Sequence, residues 1–219
     1  MEEDSTPHYM VELVLENRPV LVVGGGQVAR RKIEGLLACR AVVTVAAPEL
    51  EAGVADLAGR GEIVAREVGF APELLAGPPV PFLVFAATAT AAMNREVAGL
   101  CRERGILCNS ADDPGSSDFL VPAMIRRGRV GIGVGTGGLS PALSRVLKER
   151  IDAWLEPGWG GLAMAFGAWR ARVAERVPAG EARQRFWRAA ARDAVADGGL
   201  ERDGHDGWFE VRLRDAGWG

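Results

Sequence analysis

The chain has 219 residues, 48% hydrophobic and 25% charged, enough for one sizeable core and a smaller appendage without staples. A net charge of -3 and a pI near 5.6 leave no electrostatic footprint for nucleic acid. Cys39, Cys101 and Cys108 form no C-x-x-C pair and His8 and His205 lie near opposite ends, which argues against a zinc knuckle, a disulfide framework or a serine-histidine-aspartate triad.

The acidic N-terminus "MEEDSTPHYM" lacks the charged and apolar regions of an export signal, and no apolar run approaches ~18 residues. A reducing cytoplasm is the expected compartment. The first strong element is the apolar run "PVLVV" (Pro19 to Val23), followed by "GGGQVARRK" (Gly24 to Lys32). Gly24, Gly26 and Ala29 fit G-x-G-x-x-G/A: a tight turn, a close backbone approach to a pyrophosphate, and close packing of the following helix. Ala29, Ile33, Leu36 and Leu37 supply one apolar helical face. The plain alternative is a strand-to-helix turn that uses glycine only to close.

Further strand-like runs are "AVVTVAA" (Ala41 to Ala47), "EIVAREV" (Glu62 to Val68), "PFLVFAAT" (Pro81 to Thr88) and "ILCNSAD" (Ile106 to Asp112). A helical pattern carrying Met93, Val97, Leu100 and Cys101 precedes the last of them. Near-continuous apolar strands alternating with helices predict an α/β, Rossmann-like parallel sheet covered on both faces. In that context the glycine turn reads as a dinucleotide site. The acidic residue expected at the end of the second strand is missing, and Glu49, just past Pro48, is the nearby carboxylate. No arginine occupies the same place, which favours NAD over NADP.

Beyond Asp112, "DDPGSSDF" is dense in turn residues, and "RVGIGVGTGG" alternates Val130, Ile132 and Val134 with glycines. "LSPALSRVLKERIDAWL" reads as a helix capped by Ser140, with Pro141 at its first turn and Leu143, Val146, Leu147, Ile151 and Trp154 on one face. Helical patterns at 162–177 and 181–196, broken by "VPAG" and "DGG", indicate a helical C-terminal domain. The predicted organisation is a Rossmann-like domain over 1–113, a small α+β segment over 114–155 and a helical domain over 156–219.

The blocks "LVVGGGQVARRK", "FAATAT…MN", "ILCNSADDPGSSDFLVPA" and "VGIGVGTGGLSPALSRVLKERI" resemble, in order and spacing, the precorrin-2 dehydrogenase/sirohydrochlorin ferrochelatase family, the N-terminal module of siroheme synthases. The resemblance covers about Val11 to Leu155. It implies an NAD-binding Rossmann domain, a dimerisation domain at 114–155 and a homodimer. It also implies NAD-dependent oxidation of precorrin-2, a tetrapyrrole with eight carboxylates, to sirohydrochlorin, with ferrous iron inserted by some members.

By motif the family's catalytic aspartate maps onto Asp112 of "CNSADDP", with Asp113 adjacent. The NAD-contacting positions map onto Gly24, Gly26, Gln27, Val28, Pro48 and Glu49, with Thr88 and Asn109 on the same strand edge. No metal-binding residue is implied. Thr136 matches a serine that is phosphorylated in some members. Arg126, Arg127, Arg129, Arg145 and Lys148 are candidates for pairing with substrate carboxylates. Ala89 and Thr90 depart from the Asp-Asp common in the family. The competing reading is a non-enzymatic, NAD-responsive module, against which stand the specific "CNSADDPGSSDF" and "SPALSRVLKERI" blocks.

Overall fold

In a computed structural model that describes residues 7–196 and 205–219, the five apolar runs of the first half form one parallel sheet. Its strands are β1 (Pro19–Val23), β2 (Val42–Ala46), β3 (Val64–Arg66), β4 (Leu83–Ala86) and β5 (Leu107–Ser110), in the order β3-β2-β1-β4-β5. The strand order reverses between β1 and β4, which opens a crevice beyond their carboxyl ends. The run Glu62 to Val68 contributes only three strand residues. It lies at the sheet edge, with Val64 and Val68 exposed, where a short strand limits unpaired backbone.

Successive side chains point to opposite faces, so each strand feeds two cores. Val20, Val22, Val43, Val45, Leu83 and Phe85 pack with helices α1 (Gln27–Leu37) and α2 (Ala52–Gly59). Leu21, Val23, Val84, Ala86 and Cys108 pack on the other face with Val97, Ala98 and Cys101 of α3 (Ala91–Glu103). Each fully buried aliphatic side chain contributes roughly 1.5–3 kcal/mol, so these two layers fix the sheet.

This first compact unit ends after Val121. The turn-rich segment beyond Asp113 travels with it because its polar groups complete β5. The Cys108 amide donates to Asp118 at 3.0 Å, the Ser110 amide to Ser117 Oγ at 2.9 Å, and Asn109 Nδ2 to the Phe119 carbonyl at 3.0 Å. The Phe119 ring meets Phe85 edge-on at 5.4 Å.

The second unit begins with the antiparallel ribbon β6 (Ala123–Arg127) and β7 (Val130–Val134), which places Ile125 opposite Ile132. Helix α4 (Pro141–Trp154) follows, capped by Ser140, whose hydroxyl accepts the Leu143 amide. The apolar stripe expected on this helix is present but uncovered: Leu143, Val146, Leu147 and Trp154 are all exposed. Helices α5 (Trp159–Arg176), α6 (Glu181–Ala196) and α7 (Asp206–Asp215) complete the unit. The segment 197–204 lies outside the described residues.

These three helices enclose Phe209. Its ring stacks on Trp169 at 5.1 Å and meets Phe166 and Trp208 edge-on at 5.1 and 4.9 Å. Phe209→Leu keeps most of the volume and loses the ring contacts. The expected cost is about 1–2 kcal/mol, read as a lower urea midpoint at unchanged slope. A midpoint equal to the parent's would show that the aromatic cluster does not hold the helices. Among the described residues no helix is long and apolar enough to cross a membrane.

Candidate functional site

The crevice is built around the turn that joins β1 to α1. Gly24 and Gly25 are buried, while Gly26, Gln27 and Val28 are exposed at its rim. Gly24 takes φ +122°, and a side chain there would overlap the Ala87 carbonyl at the end of β4. A side chain on Gly25 would overlap the Glu49 carbonyl and crowd Leu50 and Ala47. Two further bonds close this packing: the Gly24 amide donates to the Ala46 carbonyl, and the Glu51 amide to the Gly25 carbonyl, each at 2.9 Å. Gly26 differs from both, because nothing lies within 4 Å of the position its Cβ would take.

Gly26 is also the N-cap of α1, and no side chain caps this helix. Its first-turn amides therefore have neither an intrahelical acceptor nor a side-chain partner, the arrangement that binds phosphate. The glycine set fits a dinucleotide: two glycines give the turn its shape, and the third keeps open the approach to the helix terminus. Gly25, which the G-x-G-x-x-G/A spacing does not include, is also required by the turn.

Pro48 and Glu49 lie exposed beside this turn. Arg30 reaches the same loop from α1, which the position of Glu49 in the sequence does not reveal. Its Nε bonds Glu34 at 2.8 Å and its Nη1 lies 3.6 Å from Glu51. The guanidinium is thus matched by two carboxylates instead of being presented to a phosphate.

On the other side of the crevice the polar groups converge on Asn94, which is fully buried on α3. Its Oδ1 accepts the Thr88 amide at 2.9 Å and lies 2.8 Å from Thr88 Oγ1. Its Nδ2 donates to the Thr88 carbonyl at 3.3 Å and to Asp112 Oδ1 at 2.9 Å. Ser110 Oγ donates to the same Asp112 oxygen at 3.1 Å. Asp112 is exposed at the carboxyl end of β5, and among the described residues its Oδ2 accepts no hydrogen bond.

Asp113 has a different task. It caps the short 3-10 turn Pro114–Ser116, accepting the Gly115 amide at 3.0 Å and Ser116 Oγ at 2.7 Å. The Ser116 bond, aided by backbone amides, holds its carboxyl below the usual carboxylate range. The two adjacent aspartates thus separate into a turn cap and a carboxylate with a free oxygen.

Asn109 is buried on β5 opposite Phe85, and its Oδ1 has no hydrogen-bond partner among the described residues. Above Phe85 lies Lys32 of α1, with Nζ 5.7 Å from the ring centroid. Burial, and secondarily Arg31, pushes its ammonium below the ordinary lysine range.

In the second unit, two of the proposed carboxylate-binding cations are already engaged. Arg127 Nη2 and Lys148 Nζ bond the two oxygens of Asp152 at 2.8 and 3.0 Å, and Arg127 Nε donates to the Leu155 carbonyl. Arg126, Arg129 and Arg145 are exposed. The Thr136 hydroxyl accepts the Ser140 amide at 3.0 Å and lies 3.2 Å from Ser144 Oγ, so it helps to set the start of α4.

A family model described as putative NAD(P)-binding matches residues 11–123, and one described as the sirohaem synthase dimerisation region matches residues 158–204. The siroheme synthase of Chromobacterium violaceum is 38% identical over 211 residues, covering 96% of this chain and 44% of that protein. Siroheme synthase 3 of Aeromonas hydrophila is 40% identical over 173 residues, covering 79% of this chain and 36% of that protein. The chain thus spans less than half the length of these curated relatives. Among solved structures, SirC, a precorrin-2 dehydrogenase, superposes with a TM-score of 0.68 at 25% identity, over 95% of this chain and 96% of that one.

Proposed function

Since the chain belongs to the family of siroheme synthases and precorrin-2 dehydrogenases, we propose that it oxidises precorrin-2 to sirohydrochlorin with NAD. The observation that carries this reading is the continuity of the crevice. The open helix terminus at Gly26 and the free oxygen of Asp112 are joined through Ala87, Thr88 and Asn94.

When bound, NAD supplies the hydride acceptor. Precorrin-2 and NAD give sirohydrochlorin, NADH and a proton. The α1 amides and Gly26 would hold the pyrophosphate, and Gln27, Val28, Pro48 and Glu49 would receive the adenosine half. Thr88 and Asn109 would line the nicotinamide side; the buried Asn109 Oδ1 has no hydrogen-bond partner among the described residues. Asp112 acts as the base, its Oδ2 taking the proton that the macrocycle loses with the hydride. NAD is preferred over NADP, because a ribose phosphate would have to displace Glu34 or Glu51 to use Arg30.

The test is anaerobic incubation with precorrin-2 and NAD, first without and then with ferrous iron. Sirohydrochlorin is expected before iron is added. Siroheme formed on its addition would make iron a second substrate of this chain. An oxidation that proceeds faster with NADP would contradict the cofactor assignment.

The same reading makes the chain a homodimer that buries the face of α4. The match to a dimerisation region at 158–204 supports the homodimer, and the exposed Leu143, Val146, Leu147 and Trp154 of α4, which lie outside that region, support the choice of face. Such a contiguous apolar stripe marks an interface. Light scattering is expected to give twice the chain mass of 23.2 kDa, and Val146→Asp should shift it toward the monomer. A parent chain that scatters as a monomer at micromolar concentration would overturn the dimer.

A further inference from the structure

We propose that Asn94 and Ser110 are positioning residues that hold Oδ1 of Asp112, so that Oδ2 is the oxygen that receives the substrate proton. The inference rests on the dehydrogenase reading and extends it from a residue to an atom.

The orientation of the Asn94 amide is set by its surroundings. The Thr88 backbone N–H can only donate, so the oxygen of the amide faces it and the nitrogen faces Asp112. All four hydrogen-bonding positions of this fully buried amide are then used: two oxygen contacts to Thr88 and two nitrogen donations, one to Thr88 and one to Asp112. Such a satisfied buried group is rigid, because any rotation would leave polar atoms without partners. Three of these contacts tie α3 to the end of β4, and they would serve a purely structural role equally well. The fourth reaches the exposed carboxylate of Asp112.

Ser110, 3% exposed on β5, delivers a second donor to the same oxygen. Two donors from different elements on one oxygen fix the plane of the carboxylate and leave the other oxygen available. A base held in place loses less freedom in reaching the transition state than one that must be ordered at that moment.

Two substitutions separate positioning from folding. Ser110→Ala removes one donor and leaves the backbone bonds of β5 intact. Asn94→Asp keeps the oxygen facing Thr88 and replaces the nitrogen that donates to the Thr88 carbonyl and to Asp112 by an oxygen, so its effect is read against that of Ser110→Ala. Each is made in the parent and in the Asp112→Ala background, with single-turnover oxidation of precorrin-2 and NAD affinity as readouts. In the parent, each should slow the turnover by about 10- to 100-fold, the range for losing a hydrogen bond to a charged group, at unchanged NAD affinity. In the Asp112→Ala background neither should have a further effect. In the parent background Ser110→Thr, which keeps the hydroxyl, should turn over at the parent rate.

Equal losses in both backgrounds, or a folded Ser110→Ala protein with the parent rate, would overturn the inference alone. A parent chain that forms no NADH from precorrin-2 would overturn the dehydrogenase reading and this inference with it.

Discussion

Gly26→Val is expected to fold like the parent and to lose roughly 100-fold or more in NAD affinity, the equivalent of two or more charge-assisted hydrogen bonds. The space around its Cβ is empty, so the fold meets no obstacle, and the valine fills the approach to the α1 amides. Gly24→Ala behaves in the opposite way. Its Cβ overlaps the Ala87 carbonyl and its φ of +122° suits only glycine. It should lose about 2–6 kcal/mol, combining roughly 1–3 for the backbone conformation with about 1–3 for the overlap. Gly25→Ala should lose ~1–3 kcal/mol from its overlap with the Glu49 carbonyl. Urea unfolding and NAD titration of the three variants separate the two kinds of glycine. A folded Gly26→Val protein with the parent's NAD affinity would show that the ligand does not cross this turn.

The second large effect is at Asp112. Removing a general base costs ~10²- to 10⁴-fold in rate, so Asp112→Ala should lose most of the dehydrogenase turnover while it still folds and binds NAD. Asp113→Ala should keep most of the turnover, because its carboxylate is occupied by Gly115 and Ser116 and makes no bond to the crevice. Its loss loosens the turn after β5, which should appear in thermal unfolding before it appears in rate. Comparable losses of rate in the two variants would contradict this division of roles.

Much of this arrangement is legible in the sequence because it is local. Alternation of apolar runs and helical faces identifies all five strands, and turn-breaking residues identify the starts of α4 and α6. Spacing places Gly24 and Gly26 at the turn after the first strand, and the family resemblance places Asp112 at the end of the fifth. What the sequence conceals depends on contacts between distant segments. Gly25 is required by the carbonyl of Glu49, 24 positions away, and no spacing rule for glycine records that.

Asn94 is hidden for a different reason. Periodicity counts apolar residues, and it assigns the inner face of α3 to Met93, Val97, Leu100 and Cys101. The structure rotates that face to bury Asn94, Val97, Ala98 and Cys101, because a polar residue is accepted in the core where every hydrogen bond is made. One signal was available: Asn94 lies three positions before Val97 and seven before Cys101, on the stripe itself. Likewise, engagement of Arg127 and Lys148 by Asp152 depends on the folding of α4 against β6, which charge counting does not capture.

The most direct measurement of the central claim is an anaerobic single turnover of precorrin-2 with NAD, carried out with the parent and with Asp112→Ala, reading NADH and sirohydrochlorin together. The parent should form the two products in equal amounts, and Asp112→Ala should form both at least ~100-fold more slowly at the parent's NAD affinity. A parent that binds NAD but leaves precorrin-2 unoxidised, or an Asp112→Ala protein that turns over at the parent rate, would contradict it.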